Sequence, residues 1–310
     1  MEVLSGLLST AILSGGVLAL AALGELLAER VGVLNLGVEG LMALGAMSAV
    51  ATVGATHDPW LGFLAALLVG GGAGILFALA TVVVRASQVL CGMALTMGGL
   101  GLSATIGRPF AGQPAGATFS PLPIPLLDRI PVLGPALFQQ SVPVYLAFLL
   151  LPAAIAWLLF RTRHGLTLRA IGENPAACDA AGIRVAPIRF CYVVLGAAVS
   201  ASAGAYLTLG FVPSWSDGVT AGRGWIAVAL VIFAGYRPWR IVGGALLFGL
   251  VNALGYLAQA RNWGVPSAFL AMLPYGVTLL FMIAPGLLRR GGALIAAPAA
   301  LGVPYYRDEK

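Results

Sequence analysis

Long runs of apolar residues recur along this chain, and within them apolar and polar positions do not alternate. Several runs reach the roughly 20 residues that a helix needs to cross a hydrocarbon core of about 30 Å. Strands of a membrane barrel would instead alternate in polarity over about 10 positions. The pattern therefore predicts membrane-spanning helices. The apolar units are Leu7–Leu27, Leu41–Ala55, Trp60–Val84, Val89–Ile106, Val142–Phe160, Cys191–Val212, Trp225–Gly235, Ile241–Ala260 and Phe269–Ala284.

The composition agrees with this pattern. Hydrophobic residues make up 60% of the 310 residues and charged residues only 9%, against about 25% charged residues in soluble domains. Lipid must therefore cover most of the surface. We predict an all-α, polytopic transmembrane bundle of about eight to ten spans, forming a single domain over residues 1–310. The first basic residue, Arg30, follows the first apolar run, so we expect a retained span rather than a cleaved signal.

Basic residues predict the orientation, because they concentrate on the cytoplasmic side of membrane proteins. Segment 161–190 carries five arginines, and placing it in the cytoplasm fixes every other loop by alternation. Thirteen of the 17 basic residues then lie inside. The N-terminus is predicted outside and residues 286–310 form a cytoplasmic tail. The net charge of +6 is explained in this way without a nucleic-acid partner.

Two stretches share a pattern of glycines, a short apolar unit and a Pro-Trp turn. The first contains Gly32, Gly37 and Gly40 and ends at Asp58-Pro59-Trp60; the second contains Gly218, Gly222 and Gly224 and ends at Arg237-Pro238-Trp239. The predicted topology places the two turns on opposite sides, as in an inverted repeat, which often marks a substrate path. Coincidence among glycine-rich sequences is the alternative. Trp225–Gly235 is too short to cross alone, so we expect it to continue through Asp217–Gly224 as a broken helix.

The sequence offers little material for catalysis. Its three cysteines and two histidines have no metal-site spacing, and no nucleophile–base pair is evident. A phosphate loop is missing, and Lys310 is the single lysine. We therefore predict no catalytic residue, no metal site and no bound cofactor. If ATP drives this protein, a separate chain must hydrolyse it.

The basic segment contains a short predicted helix with capping residues at both ends. Asn174 is a good N-cap, Pro175 suits the first helical position, and Gly182 suits the left-handed residue after the helix. Glu173 lies near the positive end of the helix dipole. A helix of two turns is marginal in water, so it must dock against something. The residues alone leave a partner protein and the chain's own surface equally open.

This stretch resembles the cytoplasmic coupling motif of the ABC-permease family that serves branched-chain amino acids, simple sugars and nucleosides. Residues 29–40, Glu-Arg-Val-Gly-Val-Leu-Asn-Leu-Gly-Val-Glu-Gly, resemble the N-terminal signature of its nucleoside-type branch. The resemblance implies a type II ABC importer permease fold in a bacterial inner membrane. It also implies that these residues couple to the ATPase: Glu173, Asn174, Pro175, Ala176, Ala177, Asp179, Ala181 and Gly182.

The same resemblance implies partners. They are a cytoplasmic ATP-binding subunit, a second permease subunit and a periplasmic or lipid-anchored substrate-binding protein, all working within membrane lipid. The second permease is expected to be a related chain, with a homodimer as the alternative.

Polar residues in or beside apolar runs are candidates for the substrate path, because an ionisable group near the bilayer centre costs at least about 2.5 kcal/mol. Hydrogen-bonding groups could hold a nucleoside, and a tryptophan could stack on its base. The alternative places these residues at helix ends in the headgroup zone. The candidates are Asn35, Glu39, Trp215, Asp217, Arg223 and Trp225.

Other functions stay open at this stage. The same class of importer could carry simple sugars, branched-chain amino acids or riboflavin. An ion-coupled secondary transporter is disfavoured by the few acidic residues deep in the spans.

Overall fold

The computed structural model describes residues 2–125, 127–128, 130–288 and 297–307. Three long helices continue through single π-helical turns, at Leu79–Val83, Leu146–Leu150 and Leu207–Phe211. The α-helices of this part of the chain are α1 (Glu2–Arg30), α2 (Val38–Thr56), α3 (Pro59–Ala78), α4 (Gln88–Gly107), α5 (Leu133–Leu137), α6 (Val142–Tyr145), α7 (Leu151–Arg161), α8 (Arg163–Glu173), α9 (Pro175–Ala180), α10 (Val185–Tyr206), α11 (Arg223–Phe233), α12 (Pro238–Ala260) and α13 (Ser267–Leu288).

The predicted apolar units are confirmed in number and order. Within the described residues, seven helices are long and apolar enough to span a membrane, and α11 and α13 supply two shorter apolar segments. The chain is therefore a helical, multi-pass membrane protein. Helix α13 runs to Leu288, so it includes the first three residues of the predicted tail. Residues 289–296 and 308–310 of that tail lie outside the described residues.

The turn after α1 does not stay at the surface. The backbone N–H of Asn35 donates to Oε1 of Glu25, 2.9 Å away, and Glu25 precedes Arg30 by five residues on α1. At a rise of 1.5 Å per residue, this contact lies about 7.5 Å deeper in the bundle than Arg30. Helix α2 therefore begins within the bundle, below the end of α1.

Helix α11 is a half-length helix that also begins at depth. It has 11 residues, or about 16 Å, roughly half of the hydrocarbon core. The prediction that helix continues through Asp217–Gly224 is wrong for residues 217–222, which form turns. Ala221 and Gly222 have φ values of 47° and 76°, and left-handed residues cannot continue a right-handed helix.

The packing supports the inverted repeat. Helix α1 packs on α12, and α10 packs on α3, so each half of the chain covers the other half. Close approaches at Gly24–Gly196 and Gly16–Tyr206 show that α1 and α10 run antiparallel. Helices α1–α4 thus correspond to helices α10–α13. The two units run in opposite directions, and the first helix of each packs on the third helix of the other. Turns precede α2 and α11 alike, and Pro59 and Pro238 start the helices that follow them.

Small residues let these helices touch through their backbones. The spacing of Gly196, Ser200 and Gly204 predicts close packing, and the structure confirms it. A Cβ at Gly196 would lie 2.6 Å from the carbonyl oxygen of Gly24, and one at Gly204 would overlap Met42. Ser200 donates to the carbonyl of Ala21 at 3.1 Å. Such contacts replace the hydrophobic driving force, which lipid does not supply.

The described part of the proline-rich segment 108–141 lies at the ends of the helices opposite α8 and α9. It adds a detail that the all-α prediction lacked: Pro121–Pro123 pairs antiparallel with Gln139–Ser141. Phe119 is buried and its ring contacts Trp60, with centroids 5.1 Å apart. The backbone N–H of Ala115 donates to Pro213 at 2.9 Å. The segment thereby holds the irregular link that leads from α10 down to α11.

Candidate functional site

The starts of α2 and α11 meet at one carboxylate. Glu39 accepts hydrogen bonds from the Thr220 hydroxyl at 2.6 Å, from the Gly222 N–H at 2.8 Å and from the Gly224 N–H at 2.6 Å. These amides are at the N-terminus of α11, where a helix leaves N–H groups unpaired and carries positive partial charge. Glu39, which belongs to the other repeat unit, accepts from these N–H groups and neutralises the positive charge. Its side chain is buried, with 4% exposed.

The predicted path residues divide into two groups. Asn35, Glu39 and Trp215 are buried. Asn35 shapes the turn before α2, since its Oδ1 accepts from the Gly37 N–H at 2.9 Å. Trp215 packs so closely on α4 that any side chain at Gly107 would overlap its indole ring.

The other three candidates reach the surface of the bundle. Trp225 is 40% exposed. Asp217 is exposed and lines a cavity of about 240 Å³ beside Arg108 at the C-terminal end of α4. Arg223 donates to the carbonyls of Val219 at 3.0 Å and Thr220 at 3.2 Å.

Arg223 also lines a cavity of about 280 Å³ between α11, α12 and α13. The volume is close to the lower end of the range for ligand pockets, about 300–1,000 Å³. Polar groups at membrane depth face water or protein rather than lipid, so this wall of the subunit faces a path or a partner. The other polar residues of the lining are Asn252, Tyr256, Gln259 and Tyr275.

Sequence reasoning missed these four residues. The available signal was weak: Asn252 and Gln259 are the two amide side chains of α12, a helix whose one charged residue is Arg240. Asn252 donates to Ser14 of α1 at 3.0 Å, and the hydroxyl of Tyr275 donates to the carbonyl of Ala221 at 2.7 Å. Their convergence depends on the packing of three helices, which the sequence pattern does not reveal.

The predicted short helix is present as α9, and it begins and ends with the predicted capping residues. The side chain of Asn174 accepts from the Ala177 N–H at 3.0 Å. Gly182 has φ +83°, and the following Ile183 N–H donates to Cys178 at 3.0 Å. Four small residues of α9 and its end form an exposed face, which we call the alanine face: Ala176, Ala177, Ala180 and Ala181.

Sequence reasoning did not identify α8 or its contacts. This 11-residue helix precedes α9 and packs against α7 and the end of α1. A Cβ at Gly172 of α8 would overlap the carbonyl oxygen of Arg30. Arg30 in turn donates through Nε to the carbonyl of Tyr236 at 3.1 Å. A rigid chain of contacts thus joins α9 to the ends of α1 and α11.

The C-terminal segment 297–307 holds this helix pair from the other side. The Ala300 N–H donates to Gly172 at 2.9 Å, and Ala299 donates to the Glu173 carboxylate at 3.2 Å. Asp179 accepts from the Tyr305 hydroxyl at 3.1 Å and pairs with Arg307 at 3.2 Å. Glu173 and Asp179 therefore serve the chain's own packing, while the alanine face stays free.

A metal centre finds no support in the described part of the chain, where no three His, Cys, Asp or Glu residues are grouped as ligands. The thiols of Cys91, Cys178 and Cys191 are unpaired with one another. Burial raises the pKa of the Cys178 thiol, which lowers its reactivity.

Three features are those of a polytopic transport permease. They are the two inverted repeat units, the half-length helix α11 that begins within the bundle, and the helix pair α8–α9 that packs against the end of α1. The family described as "Branched-chain amino acid transport system / permease component" matches residues 7–283. The chain belongs to this family. It is thus the membrane-spanning permease subunit of an ABC importer, which works with an ATP-binding subunit and a substrate-binding protein and is not itself an enzyme.

Three relatives match nearly the whole chain. TsgC13 of Haloferax volcanii, an ABC transporter permease protein named for glucose, is 35% identical, covering 99% of this chain and 99% of its own. The nucleoside ABC transporter permease protein NupC of Lactococcus lactis is 34% identical, with 94% of each chain covered. The guanosine ABC transporter permease protein NupQ of Bacillus subtilis is 32% identical, covering 100% of this chain and 99% of its own.

A solved ABC transporter in an inward-facing conformation shares the fold. The TM-score is 0.51 at 18% sequence identity, and the match covers 92% of this chain and 86% of the other.

Proposed function

We propose that this permease imports nucleosides across the inner membrane of a bacterial cell. The observation that carries the proposal is the match over nearly the full chain to two nucleoside-type permeases, together with the signature at residues 29–40. The glucose-named relative supports the second candidate, a simple sugar. Both cargoes are uncharged and rich in hydrogen-bonding groups.

The Glu39 contacts favour an uncharged cargo over an amino acid. In other transporters, the positive end of a half-helix at membrane depth points at an anionic group of the substrate. Here the start of α11 is already neutralised by Glu39, through the Gly222 and Gly224 amides. A substrate carboxylate would find that end occupied.

We assign the substrate path to the wall formed by α11, α12 and α13. Its cavity offers amide and phenol groups beside one guanidinium. Tyr256 is 42% exposed, and an exposed aromatic ring can stack on a nucleobase, an interaction worth about 1–3 kcal/mol per base elsewhere. A second permease subunit, related or identical, would close the open side of this cavity.

We further propose that the ATP-binding subunit docks on the alanine face of α9. The face is smooth and exposed, and its helix is braced by α8 and by the C-terminal segment. Motion of a docked ATPase would pass through α8 to the ends of α1 and α11. Cysteine labelling can locate this surface: Ala181→Cys, in a background in which Cys91, Cys178 and Cys191 are replaced by alanine, should react with an impermeant reagent from the cytoplasmic side alone.

The cargo is tested by uptake into vesicles that contain the permease with its ATPase and binding protein. We expect ATP-dependent accumulation of labelled guanosine and adenosine, competed by unlabelled nucleosides and unaffected by excess glucose or leucine. Glucose uptake without nucleoside uptake would establish the sugar candidate instead. Uptake without ATP would contradict the importer mechanism.

The path is tested by Arg223→Ala, with Arg261→Ala as the matched control. Arg261 is an exposed arginine at the end of α12 that does not line the cavity. Hydrogen bonds to charged groups contribute about 1.5–3 kcal/mol, so the half-saturating concentration should rise at least about tenfold at normal protein level. Equal kinetics of the two variants would remove Arg223 from the path.

A further inference from the structure

A second cavity lies at the inner end of the subunit, far from the proposed path. Its volume is about 220 Å³, and four arginines from separate parts of the chain line it. Arg85 belongs to the turn between α3 and α4, Arg184 and Arg189 to the start of α10, and Arg307 to the C-terminal segment. Thr81, Asp179 and Tyr305 complete the polar lining.

The positive charge of this cavity exceeds what its own acid can neutralise. Asp179 is the one carboxylate in the lining, and it is already paired with Arg307 at 3.2 Å. Among the described residues, Arg85, Arg184 and Arg189 form no ion pair within 4.0 Å. Three positive charges are thus left for an anion.

Arg189 supplies the strongest indication of a ligand. It is 3% exposed, and neither Nε nor Nη2 has a hydrogen-bond partner in the described part of the chain. Arginine keeps its charge at any physiological pH, and a buried charge without a partner costs several kcal/mol. Its Nη2 lies beside Gly32, in the turn after α1, at 2.8 Å from where a Cβ on that glycine would be. An anion bound in the cavity would compensate this charge.

The start of α10 adds to this field. Val185 and Ala186 of its first turn line the cavity, and the first turn of a 22-residue helix carries unpaired N–H groups and positive partial charge. Arginine forks match the oxygens of phosphate in geometry as well as charge.

We propose that this cavity binds a phosphate group, either inorganic phosphate or the phosphodiester headgroup of an anionic lipid. The position at the cytoplasmic ends of the helices makes both sources available. Through Arg307 and Asp179, the bound group joins α9 to the turn after α3 and to α10. It therefore fixes the helix that meets the ATPase, independently of the cargo.

The test uses the full-length permease in two settings. In detergent, thermal unfolding is followed with inorganic phosphate and with chloride at matched ionic strength. In nanodiscs, retained lipid is measured by native mass spectrometry with phosphatidylcholine alone or mixed with phosphatidylglycerol. The variants are Arg189→Gln and Arg85→Gln, and Arg261→Gln at the outer end is the matched control.

Phosphate should raise the unfolding temperature of the wild type and of Arg261→Gln beyond the chloride value. The apparent affinity should fall at least about tenfold in both cavity variants, as expected when one arginine–phosphate pair is lost. Retention of phosphatidylglycerol that depends on Arg85 and Arg189, without an effect of free phosphate, identifies the lipid headgroup as the source. Binding unchanged in Arg85→Gln, or no effect of either phosphate source on the wild type, overturns the proposal. Because Arg85 is exposed, Arg85→Gln decides the matter even if Arg189→Gln fails to fold.

Discussion

Replacing Glu39 by alanine is expected to destabilise the permease strongly. The carboxylate accepts from Thr220, Gly222 and Gly224, and all three donors would lose their partner at membrane depth. Each unsatisfied buried group costs about 1–3 kcal/mol, so the total is at least about 3 kcal/mol. For a chain of this size, the unfolding temperature in detergent should fall by roughly 6 °C or more.

Thr220→Val provides the matched control for this prediction. It removes one of the three donors, keeps the shape of the side chain and leaves both helix amides paired with Glu39. We expect a loss of about 1 kcal/mol. Glu39→Gln should fall between the two, because its amide keeps one acceptor oxygen. If Glu39→Ala and Thr220→Val unfolded at the same temperature, Glu39 would not hold the start of α11.

This result would also distinguish the roles of Glu39 and Arg223, which the sequence pattern does not distinguish. Both Glu39 and Arg223 qualify as path candidates by charge and position. The structure makes Glu39 a buried acceptor between the repeat units, whereas Arg223 lines an open cavity. Loss of Glu39 is therefore expected to lower the amount of folded protein, and loss of Arg223 to alter transport at normal protein level.

The double variant Pro175→Gly with Gly182→Val is expected to nearly abolish ATP-driven uptake while membrane insertion stays normal. Pro175 fixes the first turn of α9, and glycine there loosens it. Gly182 has φ +83°, a left-handed conformation that costs a residue with a side chain about 1–2 kcal/mol. With both ends of the helix weakened by a total of about 2 kcal/mol, the equilibrium constant for forming α9 falls roughly 30-fold.

Gly264→Val is the matched control for backbone strain. Gly264 also has a positive φ, +72°, and neither glycine has an atom within 4 Å of an added Cβ. It lies between α12 and α13, at the opposite end from α9, so the same strain should leave coupling intact. Uptake and substrate-stimulated ATP hydrolysis would be measured for both proteins in the assembled transporter. Wild-type rates in the double variant would contradict the coupling role of α9.

Much of the fold follows from local chemistry that the sequence displays. Apolar runs with almost no charge can be stable only as helices in lipid, which is why the predicted units match the observed helices. The ends of α9 depend on Asn174, Pro175 and Gly182 within one stretch of chain, so they too were predictable. The basic residues also predicted which loops lie together at one end of the bundle. At that end the C-terminal segment contacts α8 and α9.

Other features depend on residues far apart in the chain, and no local pattern encodes them. Glu39 lies 181 residues from Thr220, so its role as a cap for α11 exists only once the two repeat units are packed together. The cavity around Arg223 draws on three helices, and the cluster of arginines draws on three separate segments. The sequence by itself determined the helices and the ends of α9, because propensity and lipid solvation act on neighbouring residues. Tertiary structure alone decided which polar groups are buried, paired or open to a ligand, because burial and pairing are properties of contacts between distant residues.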